Sequence, residues 1–165
     1  MQYRLWLFMN GLFIAIIFFY IWVVRPHDNS LVTFGQLLAQ IAVILFFINV
    51  NMHFIFKVIK KSNQRNVKIL LANISRRMMK WHIPTAVGGT LIILGHAGIM
   101  ISRLGADLVG SLKGVSGVIT LLLLGVTLFA GYLRHTRASG FRRKFHLTMA
   151  MIFAVFILIH MFMYV

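Results

Sequence analysis

The 165-residue chain contains no cysteine and no glutamate, and Asp28 and Asp107 are its only carboxylate side chains. Without cysteine the chain can form no disulfide, no iron–sulfur cluster, no thiolate-bound haem and no covalently attached c-type haem. The scarcity of carboxylates argues against hydrolysis by paired acids, metal–carboxylate sites and acidic proton relays in a membrane. Seven histidines, some amides and hydroxyls, and many cations are left for chemistry.

Hydrophobic residues make up 60% of the chain, and the mean hydropathy is +0.89. Five apolar stretches are long enough to cross a hydrocarbon core of ~30 Å, which takes about 20 helical residues. They cover residues 5–24, 31–56, 83–102, 115–133 and 145–164. The first is too long for a signal-peptide core and has no small-residue cleavage site. Because none alternates in polarity, the sequence predicts one all-α membrane domain, residues 1–165, with five transmembrane helices.

The net charge of +15 lies mainly in two of the four connections between these stretches. Residues 57–80 hold eight basic side chains and residues 134–144 hold five, whereas the other two connections hold few. Basic connections stay in the cytoplasm, so the sequence predicts a cytoplasmic N-terminus and an external C-terminus in the cell (inner or plasma) membrane. Membrane lipid is a predicted partner. Nucleic acid is not, because no soluble module carries the charge.

Residues 66–80 place apolar side chains at helical spacing, with most basic side chains elsewhere. This pattern predicts an interfacial amphipathic helix on the inner membrane surface, with an ordinary amphipathic connector as the alternative.

Two apolar runs each begin and end with histidine, at an interval of fourteen residues: His82 and His96, then His146 and His160. In a helix this interval is ~21 Å long and close to four whole turns, so both rings point to the same side. The third and fifth helices run in the same direction. His82 can therefore face His146 near the inner surface, and His96 can face His160 near the outer surface.

Two facing imidazoles are too few ligands for zinc, which takes four, and carboxylates or thiolates that could complete its shell are lacking. A porphyrin supplies four nitrogens, and two axial histidines then complete the iron site. The sequence therefore predicts that helices two to five form a four-helix bundle holding two stacked haem b groups, with the first helix peripheral. For each histidine taken alone, the alternative is a hydrogen bond to a neighbouring helix or a position at the membrane interface.

Other residues are candidates for haem or quinone contacts. Gly117 and Gly131, also fourteen apart, would let a flat ring approach the fourth helix, although plain helix packing explains them equally well. Cations near each haem would bind its propionates. Arg143 is one of the candidates near the inner haem. The candidates near the outer haem are Arg103, Lys113 and Arg25.

The remaining histidines carry weaker signals. His53 is a candidate quinone or proton site, with a packed or interfacial histidine as the alternative. His135 is predicted to be solvated at the inner interface, and His27 to lie in the outer turn. Pro84 fits the first turn of a helix, so it predicts that the third helix begins near Ile83, with His82 at or just before that start.

The paired histidines, together with RRKFH before His146 and ILIH ending at His160, resemble the di-haem b-type membrane cytochromes. The sequence is most similar to the transmembrane core of the ferric reductase and NADPH oxidase superfamily, over residues 76–165. The resemblance implies that His82 and His146 ligate the inner haem and that His96 and His160 ligate the outer one. Those reductases also carry a flavin and nicotinamide domain, whereas this sequence has no G-x-G-x-x-G motif.

These features predict a role in one-electron transfer across the membrane, as a subunit of an oxidoreductase. The electron donor would be a separate flavoprotein on the cytoplasmic side or a membrane quinol, with quinone as a further candidate cofactor. The alternative is a membrane protein without redox chemistry, either a transporter or an assembly or anchor subunit.

Overall fold

Long α-helices make up almost the whole of the computed structural model, which describes residues 2–24, 29–105 and 107–163. The elements are α1 (Gln2–Phe19, continued by a π-helical turn, Tyr20–Val24), α2 (Ser30–Lys61), α3 (Arg65–Leu104), the short α4 (Asp107–Gly110), α5 (Leu112–Thr136) and α6 (Gly140–Phe162). Five helices in these described ranges are long and apolar enough to cross a membrane, and the same ranges contain no strand. The predicted all-α, five-helix fold is confirmed.

Polar residues just before the apolar runs fix where three of the helices begin. The side-chain oxygen of Asn29 accepts hydrogen bonds from the backbone N–H groups of Leu31 and Val32, at 2.9 and 3.3 Å. Ser111 caps α5, and Ser139 caps α6, in the same way. Such caps satisfy backbone donors that have no partner inside the helix, so these starts are encoded locally.

Large apolar side chains cover much of the molecular surface. Leu91 and Leu122 are each 65% exposed, and Phe129 is 58% exposed. A water-facing surface of this composition would be strongly unfavourable, whereas lipid tails match it. The protein is therefore membrane-embedded, and its outer side chains suit contact with lipid. Which end faces the cytoplasm stays a prediction.

The chain divides into two compact units, Met1–Met100 and Ile101–Val165. In the first unit, α1 and α2 run antiparallel and are joined by two indole–amide hydrogen bonds. Trp6 donates to the side chain of Asn51, and Trp22 donates to the side chain of Gln40, each at 3.1 Å. Both amide side chains are buried, so each bond satisfies a side-chain oxygen that would otherwise be costly inside the membrane.

In the second unit, α5 and α6 form an antiparallel pair, and a cation of each helix binds the other helix where it ends. The Lys113 ammonium donates to the backbone carbonyls of His160, Met161 and Met163, at the C-terminus of α6. Near the opposite end of the pair, Arg142 donates to the Leu133 carbonyl of α5 at 2.8 Å. Cations are favourable at helix C-termini, where backbone carbonyls lack partners. These contacts fix the register of α5 against α6.

The third helix does not begin near Ile83, so that prediction is wrong: α3 continues through Pro84 without a break. A proline inside a helix removes one N–H group and its hydrogen bond. Beside the proline, the Thr85 hydroxyl lies 2.7 Å from the Trp81 carbonyl of its own helix and 2.9 Å from the Asn49 side-chain oxygen of α2. His82 therefore lies inside α3, and the geometry of a fourteen-residue helical interval applies to it and His96.

Residues 66–80 form the first part of the same continuous helix. They are helical, as the amphipathic pattern predicts, but they are not a separate element. Their location at the membrane surface stays a prediction.

Candidate functional site

His96 of α3 is oriented by a backbone carbonyl of α2. Its Nδ1 lies 2.9 Å from the carbonyl oxygen of Gly35. A carbonyl only accepts hydrogen bonds, so Nδ1 carries the proton and donates. Gly35 is buried, and a Cβ atom at this position would lie 3.2 Å from Cγ2 of Ile99. The missing side chain thus lets the two helices approach closely where His96 is held.

His146, in the second turn of α6, makes the equivalent contact with α5. Its Nδ1 lies 3.2 Å from the carbonyl oxygen of Thr127, so Nδ1 is again the donor. One turn further along α5, a Cβ atom at Gly131 would lie 3.3 Å from Cε1 of the same ring. The imidazole therefore lies against a glycine of the neighbouring helix and bonds to its backbone.

His160, in the last turn of α6, has a similar environment with one chemical difference. Its Nδ1 lies 3.1 Å from the hydroxyl oxygen of Ser116, which is buried. A Cβ atom at Gly117 would lie 3.0 Å from Cε1 of the ring. Each of the two glycines fourteen apart on α5 is thus in contact with one of the two histidines fourteen apart on α6. At Gly125, between them, a Cβ atom would meet nothing within 4 Å.

Three of the four predicted ligands therefore have Nδ1 bonded to an oxygen of an adjacent helix. When Nδ1 of a neutral imidazole carries the proton, the lone pair is on Nε2, the nitrogen that would then bind a metal. Metal-binding histidines commonly have this second hydrogen bond, which fixes the tautomer and the ring orientation. The three acceptors could not be predicted from the sequence, because two are backbone carbonyls and the third is a lone serine.

The described part of the chain contains no group of three or more His, Cys, Asp or Glu side chains that could hold a metal ion. A zinc site needs at least three protein ligands. A porphyrin iron needs only two, which is the number of histidines predicted for each haem, and that pairing stays a prediction.

The chain matches no protein-family model, no curated protein and no solved structure. The resemblance to di-haem cytochromes therefore stays a hypothesis that rests on the residues themselves.

His82 is half-buried within α3, and its backbone carbonyl lies 3.1 Å from the Thr85 hydroxyl. His82 and His96 belong to the first unit, whereas His146 and His160 belong to the second. The predicted pairs, His82 with His146 and His96 with His160, join the two units and stay predictions.

The predicted propionate-binding cations fall into two groups. Arg103, in the last turn of α3, and Arg143, in the first turn of α6, are exposed. Lys113, in contrast, has its ammonium on the C-terminal carbonyls of α6. Arg25 lies outside the described residues.

Of the other three histidines, two lie in the part of the chain that the structure describes. His53 is half-buried on α2, with its ring 5.6 Å from that of Phe54 in an edge-on arrangement. His135 is exposed in the last turn of α5. His27 lies outside the described residues.

Proposed function

We propose that this protein is a di-haem cytochrome b-type subunit that carries single electrons across a membrane. The proposal rests mainly on one observation. The Nδ1 atoms of His96, His146 and His160 all bond to oxygens of adjacent helices. A haem iron held by two imidazoles supplies reversible uptake of one electron. The four ligands in this proposal are His82, His96, His146 and His160.

The surrounding residues hold the rings in the orientation that this role needs. Gly35, Thr127 and Ser116 provide the oxygens that set the tautomer of each ring, and Gly117 and Gly131 leave room for His160 and His146. The fourteen-residue interval along continuous helices separates the two sites by ~21 Å, a large part of a hydrocarbon core. Arg103 and Arg143 would bind the propionates.

A histidine that only joined two membrane helices would make the same Nδ1 bond. Packing alone, however, gives no reason for the equal intervals on α3 and α6. Nor does it explain why α5 repeats a glycine at that interval, with each glycine in contact with one imidazole. The repeated arrangement favours two equivalent cofactor sites over four independent packing contacts.

The donor in this proposal is a separate flavoprotein at the cytoplasmic face or a membrane quinol. Both supply single electrons in membrane redox complexes, and neither requires a further domain on this chain. The half-buried His53 remains the candidate quinone or proton site on α2.

Transmembrane electron transfer is testable in sealed vesicles. The purified protein is placed in liposomes that contain ferricyanide, a membrane-impermeant reductant is added outside, and valinomycin with potassium removes the opposing voltage. We expect the trapped ferricyanide to be reduced at least tenfold faster than in protein-free vesicles, because electrons can cross between the two sites. A His96→Ala/His160→Ala double variant, which lacks both ligands of one site, is expected to lose this rate.

Vesicles whose protein holds two haems but transfers no electrons faster than empty vesicles would contradict the electron-transfer role. A colourless protein in the same vesicles would instead favour a transporter or an anchor subunit.

A further inference from the structure

Two segments of helix α5 face α6 and share a similar pattern of residues. They are residues 113–117 and residues 127–131. The segments are offset by fourteen residues, and both end in the glycine that contacts a histidine ring. In this offset Lys113 corresponds to Thr127, and Ser116 corresponds to Ala130. The two segments differ chemically at Ser116 and Ala130, because only the serine has a hydroxyl.

In segment 127–131 the group that bonds to Nδ1 of the imidazole is a backbone carbonyl. The Thr127 carbonyl accepts directly from Nδ1 of His146 at 3.2 Å. Ala130 is completely buried and offers no polar atom. The Thr127 hydroxyl is used elsewhere, since it donates to the Leu123 carbonyl at 2.8 Å. The Nδ1 bond of His146 therefore goes directly to the main chain.

In segment 113–117 a hydroxyl stands between the imidazole and the corresponding carbonyl. Ser116 donates to the Lys113 carbonyl at 2.9 Å, and its oxygen lies 3.1 Å from Nδ1 of His160. A hydroxyl has one proton and two acceptor lone pairs. If Nε2 of His160 binds the iron, Nδ1 carries the proton and donates to the Ser116 oxygen, while the Ser116 proton goes to the Lys113 carbonyl.

We propose that Ser116 is a positioning residue that sets the reduction potential of the iron at His160, and of that iron only. This inference rests on the proposed haem function. A hydrogen bond accepted from Nδ1–H makes a ligand imidazole more basic, and a more basic ligand stabilises oxidised iron. At His160 this bond depends on a side chain that can be removed, whereas at His146 it depends on the main chain.

The test is a spectroelectrochemical titration of the purified haem-loaded protein and its Ser116→Ala variant. We expect one of the two midpoint potentials to rise in the variant and the other to stay unchanged. At a fixed potential, the ratio of reduced to oxidised iron at that site should increase up to about tenfold, which corresponds to 59 mV for a one-electron couple. Ser116→Thr, which keeps the hydroxyl, should restore the wild-type potential.

Thr120→Val is the matched control. This residue also lies on α5, and its hydroxyl bonds to the backbone carbonyls of Ser116 and Phe156 but to no histidine ring. Both potentials should be unchanged in this variant. A general loosening of the α5–α6 pair would move them here as well, and that result would overturn the specific role of Ser116.

The remaining outcomes separate this inference from the proposed function. A Ser116→Ala protein with two haems and two unchanged potentials overturns the role of Ser116 but leaves the proposed function standing. Loss of one haem from Ser116→Ala, with recovery in Ser116→Thr, supports the positioning role, whereas loss from both variants overturns it. A wild-type protein without haem overturns the proposed function, and this inference with it.

Discussion

Replacing His160 with alanine is expected to remove one of two haems and to leave the other in place. The variant deletes a proposed iron ligand near the end of α6, whereas His146 lies fourteen residues away along the helix, a distance of ~21 Å. Sites this far apart respond independently to substitution, so the second site should keep its occupancy. The pyridine haemochromogen spectrum, divided by protein concentration, should fall from two haem b per chain to one.

His135→Ala is the matched control for this experiment. His135 is exposed in the last turn of α5 and is not a predicted ligand. Its removal should leave two haems per chain. If His160→Ala also retains two, with unchanged low-spin spectra, His160 is not a ligand.

Combining histidine substitutions should reveal which ligands share an iron. A His96→Ala/His160→Ala double variant is expected to hold one haem, the same number as His160→Ala alone, because both changes affect the same site. A His82→Ala/His160→Ala variant should hold none, because it damages one ligand of each site. The number of haems per chain therefore shows which two histidines share an iron, without a structure of the haem-loaded protein.

The opposite result would show the opposite pairing. If the His96/His160 variant loses both haems and the His82/His160 variant keeps one, then His160 shares its iron with His82. A folded His82/His160 variant that holds both haems would show that neither residue is an axial ligand. Monodispersity in size-exclusion chromatography establishes that each variant is folded.

The five helices were predictable because each is specified by a continuous apolar run, and three also by a polar cap at the start, such as Asn29 before α2. Length and composition in one segment are enough for that prediction.

The start of α3 was not predictable in this way. Pro84 resembles a helix start in the sequence, but α3 continues through it, because a membrane helix tolerates the loss of one backbone N–H bond.

The candidate site was partly predictable for a similar reason. Equal intervals within a helix are a local property, so the histidine pairs and the Gly117–Gly131 pair could be read from the sequence. The bonding partners of the rings depend on the register between helices. Thr127 and Gly35 contribute carbonyls, which every residue has, and Ser116 acquires its role only once α5 and α6 are aligned.

The most direct test of the central claim is the haem content of the wild-type protein, purified from haem-replete cells. Two haem b per chain, with a Soret band and the low-spin ferric signals of two bis-imidazole irons in electron paramagnetic resonance, are the predicted result. A colourless and stably folded protein would contradict the claim. The histidines at fourteen-residue intervals would then be packing residues, whose hydrogen bonds only join membrane helices.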